Sequence, residues 1–287
     1  MLAVFRREIK AYYSSPTGYI FMGFFLLICG FFFALYNIWA QSRDYLSVLG
    51  NIAFIFLFLV PILTMRLISE ETRQKTDQLL LTSPLSLSNL VLGKYLAAVA
   101  VFGITLLVTV LYPIILSFFG TLALAEIIGG YVGFFLLGSA FISIGLFISS
   151  LTDNQIIAAV ATFGALLLMW ILGWIQQGMP TDRVSGVVFA VLLVIAAAAL
   201  VYFTMKNIYV SVAVILVGAA IMTLIYIINP FAYDGLIVKF LDWFSLLKRY
   251  DGFTRGILSL SSVFYFISFC SAFLFLTVRV IEKRRWS

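Results

Sequence analysis

YLAAVAVFGITLLVTVLYPIILSFFGTLALA, residues 95–125, runs for 31 positions without an Asp, Glu, Lys or Arg. About 20 apolar residues at 1.5 Å per residue cross roughly 30 Å of hydrocarbon, so this stretch reads as a membrane-spanning helix. Working outward from it, seven more runs of the same kind appear. The eight expected spans are 18–40, 50–68, 91–119, 127–150, 155–177, 184–205, 208–230 and 257–281. The whole chain agrees: 63% of its 287 residues are hydrophobic and 10% charged, against roughly 45–50% and about 25% in soluble domains. The expected fold class is an all-α polytopic membrane protein. The first run is a full span long with no small-residue cleavage site after it, which marks a retained helix rather than a secretory signal.

Charge orders the spans across the bilayer. With eight crossings both termini share one side, and 12 of the 18 basic residues with six of the 12 acids fall there. That side carries a net +6 and the other side zero. Juxtamembrane Lys and Arg accumulate on the cytoplasmic side, so the N- and C-termini are expected in the cytoplasm. The basic balance is thereby explained by topology, and no nucleic-acid partner is expected.

The polar ends of the chain have their own pattern. In LAVFRREIKAYY, residues 2–13, the residues Leu2, Phe5, Ile9, Tyr12 and Tyr13 repeat at helical spacing, with Arg6, Arg7 and Lys10 off that face. An amphipathic helix lying in the headgroup layer is expected, ended by Ser14-Ser15-Pro16. Pro61 and Pro113 fall inside spans two and three, where each removes a backbone donor. Span four is rich in small residues, with Gly129 and Gly133 spaced for close helix contact. Spans six and seven, joined by Lys206-Asn207, form an added hairpin. The segment 231–256 suits an interfacial or re-entrant helix, in which Phe240, Trp243 and Phe244 are candidates for an external gate. Cys29 and Cys270 lie within apolar runs and read as small buried hydrophobes.

Several chemistries are excluded. The chain has no histidine and two distant cysteines, which removes His-based catalysis and the usual metal sites. Its Gly93-Lys94 pair is followed by Tyr95 and lacks the glycine of a phosphate-binding loop. Ion-coupled carriers keep ionisable residues inside the bundle, at about 2.5–3.5 kcal/mol each on insertion scales, and the interiors of these spans hold none. No cofactor, metal or catalytic residue is expected on this chain.

The stretch between spans two and three, EETRQKTDQLLLTSPLSLSNLVLGK at 70–94, is the exception to the oily composition. Glu70, Glu71, Arg73, Lys75 and Asp77 open it. A short helix at 69–81 is expected, its early glutamates at the positive dipole end, ended at Thr82-Ser83-Pro84, with Ser86 or Ser88 capping span three. Charge rimming a run of leucines has the composition of a docking element.

At this point the sequence resembles the ABC-2 type permeases, membrane subunits of type-2 ABC exporters, in the branch of gliding-motility and nitrous-oxide-reductase accessory permeases. The segment RLISEETRQKTDQLLLTSPLSLSNLVLGKYLAA at 66–98 carries the likeness, with YYSSPTGYIF at 12–21 and FTRGILSLSSVFYFISFCSAFLFLTVRVIEKRRW at 253–286. The resemblance implies that 69–89 is a coupling helix inserting into a separate ATPase subunit. Its matching positions are Glu70, Glu71, Thr76, Leu79, Leu80, Ser83, Pro84, Gly93 and Lys94, with Arg73 beside them. It also implies ATP and Mg on that partner, a second permease copy or homologous permease, and a prokaryotic inner membrane. An accessory extracytoplasmic subunit is a further candidate partner. Such permeases generally have six spans, so the hairpin 184–230 is a departure.

The expected organisation is therefore an interfacial helix at 1–17, spans one to five at 18–183, the extra hairpin at 184–230, an external segment at 231–256, and the last span with a basic tail at 257–287. The expected function is that of an exporter permease for an amphiphilic, lipid-linked or peptide cargo. The alternative is a membrane anchor or assembly factor that recruits an ATPase without moving cargo.

Overall fold

A computed structural model describes residues 1–74 and 86–286, the side chains of Met205, Arg285 and Trp286 excepted. Among the described residues the protein is all-α, and eight helices are long and apolar enough to cross a membrane: Pro16–Trp39, Tyr45–Arg73, Leu87–Ser117, Leu124–Leu151, Gln155–Gly178, Arg183–Thr204, Ile208–Ile228 and Leu260–Arg284. These are spans 1 to 8 below, with span 2 counted to the end of its Phe56–Thr64 helix and the polar residues 65–74 treated as the segment after it. Spans 2 and 3 begin earlier than their apolar runs do, because helices start at caps and hydropathy does not register caps. Asp44 accepts from the Ser47 amide at 3.2 Å, and Ser86, rather than Ser88, accepts from the Asn89 amide at 3.4 Å.

Both prolines fall in interrupted helices. Span 2 is built from Tyr45–Ile52, a 3-10 turn at Ala53–Ile55 and Phe56–Thr64, with Pro61 in the last piece. Span 3 divides into Leu87–Val108 and Leu111–Ser117, with Pro113 in the second. Around the break the amides of Thr109 and Val110 bond three residues back, to Leu106 and Leu107, which tightens the backbone there.

The chain divides into two compact units, Met1–Met169 with Leu246–Ser287, and Trp170–Ser245. Span 4 is the axis of the first unit: 72% of its apolar window is buried, against 28% for span 1. Spans 2, 3 and 8 pack around it. Its Phe134 and Phe141 meet Phe56 at centroid distances of 4.7 and 5.7 Å, and Phe102 of span 3 and Phe25 of span 1 complete the cluster. Lipid tails are as apolar as these rings, so the cluster stabilises by close dispersion contact rather than by leaving water. The helix Leu246–Thr254, from the segment expected at the external interface, buries Leu246, Tyr250 and Phe253 in this core. The Cβ and Cγ of Phe253 sit against Gly133, occupying the space a Cβ there would need.

The second unit holds spans 6 and 7 and the helix Leu236–Phe244. Arg183 opens span 6, pairs with Asp234 at 3.1 Å and stacks 4.8 Å above Phe231. The Tyr233 hydroxyl donates to the Met222 carbonyl at 2.8 Å, tying the turn after span 7 back onto it. Phe240 meets Phe189 of span 6 at 5.3 Å, and Phe244 at 5.2 Å.

Gly133→Val should force Phe253 out of its seat, at about 1–3 kcal/mol for overpacking. Gly164→Val, where nothing lies within 4 Å of the new Cβ, is the control. Thermal unfolding in detergent should show a lower midpoint for the first substitution and no change for the second.

Candidate functional site

The N-terminal helix, Leu2–Ser14, presents Val4, Glu8 and Tyr12 at four-residue spacing to the protein. Val4 and Tyr12 are buried, Phe5, Ile9 and Tyr13 are half-buried, and Arg6 and Arg7 are exposed. Tyr12 therefore does not belong with a lipid-facing stripe: its hydroxyl donates at 2.7 Å to the Leu63 carbonyl, near the end of the Phe56–Thr64 helix. The backbone turns at Ser15, which is extended, and Pro16 opens span 1.

This helix crosses span 3 at Gly93. A Cβ there would come within 3.0 Å of the Val4 side chain and 3.2 Å of the Met1 carbonyl. Glycine sets the crossing distance, and Lys94 beside it supplies the chemistry. Its ammonium is 1% exposed and lies 3.0 Å from Glu8 and 2.9 Å from Glu71. Arg7 closes the ring, 2.7 Å from the same Glu8 oxygen and also paired with Glu71. Two cations and two carboxylates thus form a neutral ring joining the N-terminal helix, the segment after span 2, and span 3.

Neutrality is what permits the burial. An uncompensated ion at this position would cost several kcal/mol of lost hydration, and a paired, hydrogen-bonded one far less. Burial alone would raise the Glu8 carboxyl, but the Lys94 charge and hydrogen bonds from Arg7 and Lys94 outweigh it and hold the group below its ordinary 4.5.

The segment after span 2 is fixed at three further points. Arg66 grips Glu70 through two nitrogens at 2.7 and 3.2 Å and reaches Thr17 of span 1 at 3.3 Å. The Ser149 hydroxyl of span 4 accepts from the amides of Ile68 and Ser69, both at 3.2 Å, satisfying donors at the start of the Ser69–Arg73 helix. Arg284, near the end of span 8, contacts Asp153 at 3.2 Å and Thr72 at 3.5 Å. The N-terminal helix, the segments following spans 2 and 4, and the end of span 8 therefore meet on one face of the unit.

The sequence-derived residues separate accordingly. Glu70, Glu71, Gly93 and Lys94 come together, but Glu70 and Glu71 turn inward to Arg66 and Lys94, while Arg73 and Gln74 are the exposed positions. Thr76, Leu79, Leu80, Ser83 and Pro84 lie outside the described residues, as does most of the expected 69–89 element. Phe240, Trp243 and Phe244 sit on the second unit, exposed, with Trp243 edge-on to Phe244 at 5.3 Å. Glu8 and Ser149 were missed. A signal for Glu8 was present, since it is the sole acid of a basic helix and lies four residues from both Val4 and Tyr12. Ser149 gives none, for a serine at a span end looks the same whether or not it caps a neighbour.

Such a molecule is a multi-pass membrane protein whose polar inter-span segment is bolted to its first helices. A family model described as ABC-2 family transporter protein matches residues 8–182, and the chain belongs to that family. It is thus a transmembrane subunit of an ABC transporter. The match begins at Glu8, contains the ring residues Glu8, Glu71 and Lys94, and stops before span 6. No curated protein matches the sequence.

Lys94→Met should leave two largely buried carboxylates sharing the half-exposed Arg7 alone and cost about 3–5 kcal/mol. Adding Glu8→Gln and Glu71→Gln should restore most of that loss in the same melting experiment. The ring also has a pH signature. Because the folded Glu8 titrates below 4.5, its contribution is complete above that value and is lost as pH falls through the lower folded value. Proteolytic sensitivity of the N-terminal helix should rise on acidification in that window in the wild type, and not in Glu8→Gln.

Proposed function

We propose that the chain is the permease of an exporter, with residues 69–89 docking a cytoplasmic ATPase that binds ATP and Mg. The observation that carries this reading is the neutral ring around Lys94. It gives an otherwise apolar protein a polar segment fixed rigidly to span 3, which is what a push delivered from outside the membrane requires. Arg73 and Gln74, exposed on that segment, are the contact positions. Glu70 and Glu71 hold the segment in place, and Gly93-Lys94 pass its displacement into span 3.

The same face carries the N-terminal helix, the segment 66–74 and the end of span 8, rich in Lys and Arg, so we assign it to the cytoplasm of a prokaryotic inner membrane. Two permease copies, identical or homologous, would enclose the path. The absence of charge from the span interiors suits an amphiphilic, lipid-linked or peptide cargo. Spans 6 and 7 are offered as a contact for an accessory subunit, with Phe240, Trp243 and Phe244 at the outer end of the path.

Reconstituted with its partner ATPase in proteoliposomes, the chain should stimulate ATP hydrolysis. Arg73→Glu should weaken association by about tenfold, the equivalent of about 1.4 kcal/mol, without shifting the melting temperature of the permease alone. Lys94→Met with Glu8→Gln and Glu71→Gln should bind the ATPase but transmit less. Stimulation unaffected by Arg73→Glu and by deletion of 74–81 would remove the docking role from this segment.

A further inference from the structure

Spans 3 and 4 enclose a second feature at the opposite end from the ion ring. Lys94 and Ser117 are 23 residues apart on span 3, about 35 Å at 1.5 Å per residue. The two spans line a groove of about 570 Å³ that runs past the helix break at Thr109, with Leu107, Val110, Pro113, Ser117, Ile128 and Val132 among its walls. That volume lies within the roughly 300–1,000 Å³ typical of small-molecule sites. Its walls are almost wholly apolar, and Leu107 and Ile128 are exposed on its rim, so it opens toward the hydrocarbon of the bilayer.

A cation lies against the loop that joins the groove's lining residues Ser117 and Leu124. Buried Asn37, at the end of span 1, donates to the carbonyls of Ser42 and Asp44 at 2.8 and 3.3 Å and so fixes the short connection to span 2. This aims Arg43 across Gly120, three residues beyond Ser117. A Cβ on Gly120 would fall 2.5 Å from the guanidinium, so the side chain lies directly against this loop. Arg43 pairs with no acid among the described residues. Neighbouring Asp44 is engaged as the cap of span 2, and Glu126 is turned against Gly256. An apolar slot at hydrocarbon depth, topped by an uncompensated guanidinium at headgroup depth, has the polarity profile of a phospholipid.

We propose that this groove holds one acyl chain of an anionic bilayer phospholipid whose phosphate is bound by Arg43. The planar guanidinium presents paired donors to phosphate oxygens, and the charge pair lies at the edge of a low-dielectric region, where it is strengthened. The acyl chain packs along the groove beside the tightened backbone at Thr109 and Val110. The site stands on residues 37–44 and 103–136 alone and does not depend on the docking role of 69–89.

The test is native mass spectrometry of the full-length protein, delipidated in mild detergent and titrated with phosphatidylglycerol or phosphatidylcholine. The wild type should retain one phosphatidylglycerol per chain in preference to phosphatidylcholine. Arg43→Gln should lose that preference by about tenfold, Leu107→Trp should abolish retention of both, and Arg255→Gln, an exposed arginine elsewhere, should behave as wild type. Ile128→Trp fills the same groove from the facing helix and replaces Leu107→Trp if that variant does not fold. Equal lipid retention by wild type and Arg43→Gln would overturn the proposal. So would a tryptophan variant that keeps its lipid but dissociates a dimer, because the occupant would then be a second copy of the chain.

Discussion

A lysine with 1% of its side chain exposed, on a helix that enters a membrane, is the constraint from which the cytoplasm-assigned face is built. Lys94 cannot be buried there unless negative charge follows it, and among the described residues the carboxylates it meets come from different parts of the chain, Glu8 on the N-terminal helix and Glu71 after span 2. Arg7 then balances the second carboxylate. Glu8 is brought to Glu71 and Lys94, 63 and 86 residues further along the chain, because an isolated charge in hydrocarbon is so unfavourable. The ring stabilises the assembly chiefly by making every partial disassembly costly.

The surrounding structure is arranged around that point. Gly93 lets the N-terminal helix approach span 3 closely enough for Glu8 to reach the ammonium. Tyr12 anchors the far end of the same helix to the Leu63 carbonyl, and Arg66 ties Glu70 to span 1. Ser149 caps the short Ser69–Arg73 helix from span 4, the most buried helix of the unit. The 66–74 segment is therefore bonded to spans 1, 3 and 4 through polar contacts of defined direction as well as through apolar packing.

Eight spans, their order and the exceptional character of 66–94 were legible in the sequence because the hydrophobic signal of a membrane helix is long and the bilayer leaves few alternatives to helix. The helix starts at Asp44 and Ser86 were blurred, since caps act through single hydrogen bonds that hydropathy does not weigh. The inward turn of Glu70 and Glu71 was not legible. A charged residue on a polar segment looks solvent-facing until the position of Lys94 relative to Glu8 is known, and that depends on where the N-terminal helix crosses. Likewise, the helix Leu246–Thr254 carries Lys248, Arg249 and Asp251, which suggests an interface, yet Tyr250 and Phe253 place its other side in the core. Composition reports the average of a short helix, and its two faces differ.

The claim that Lys94 holds the N-terminal helix and the inter-span segment as one body can be measured directly by pulsed electron spin resonance between labels at Lys10 and Gln74, both exposed. The account predicts a single narrow distance distribution in the wild type and a broad one in Lys94→Met, with the remainder of the protein still folded. Equally narrow distributions in the two proteins would contradict it.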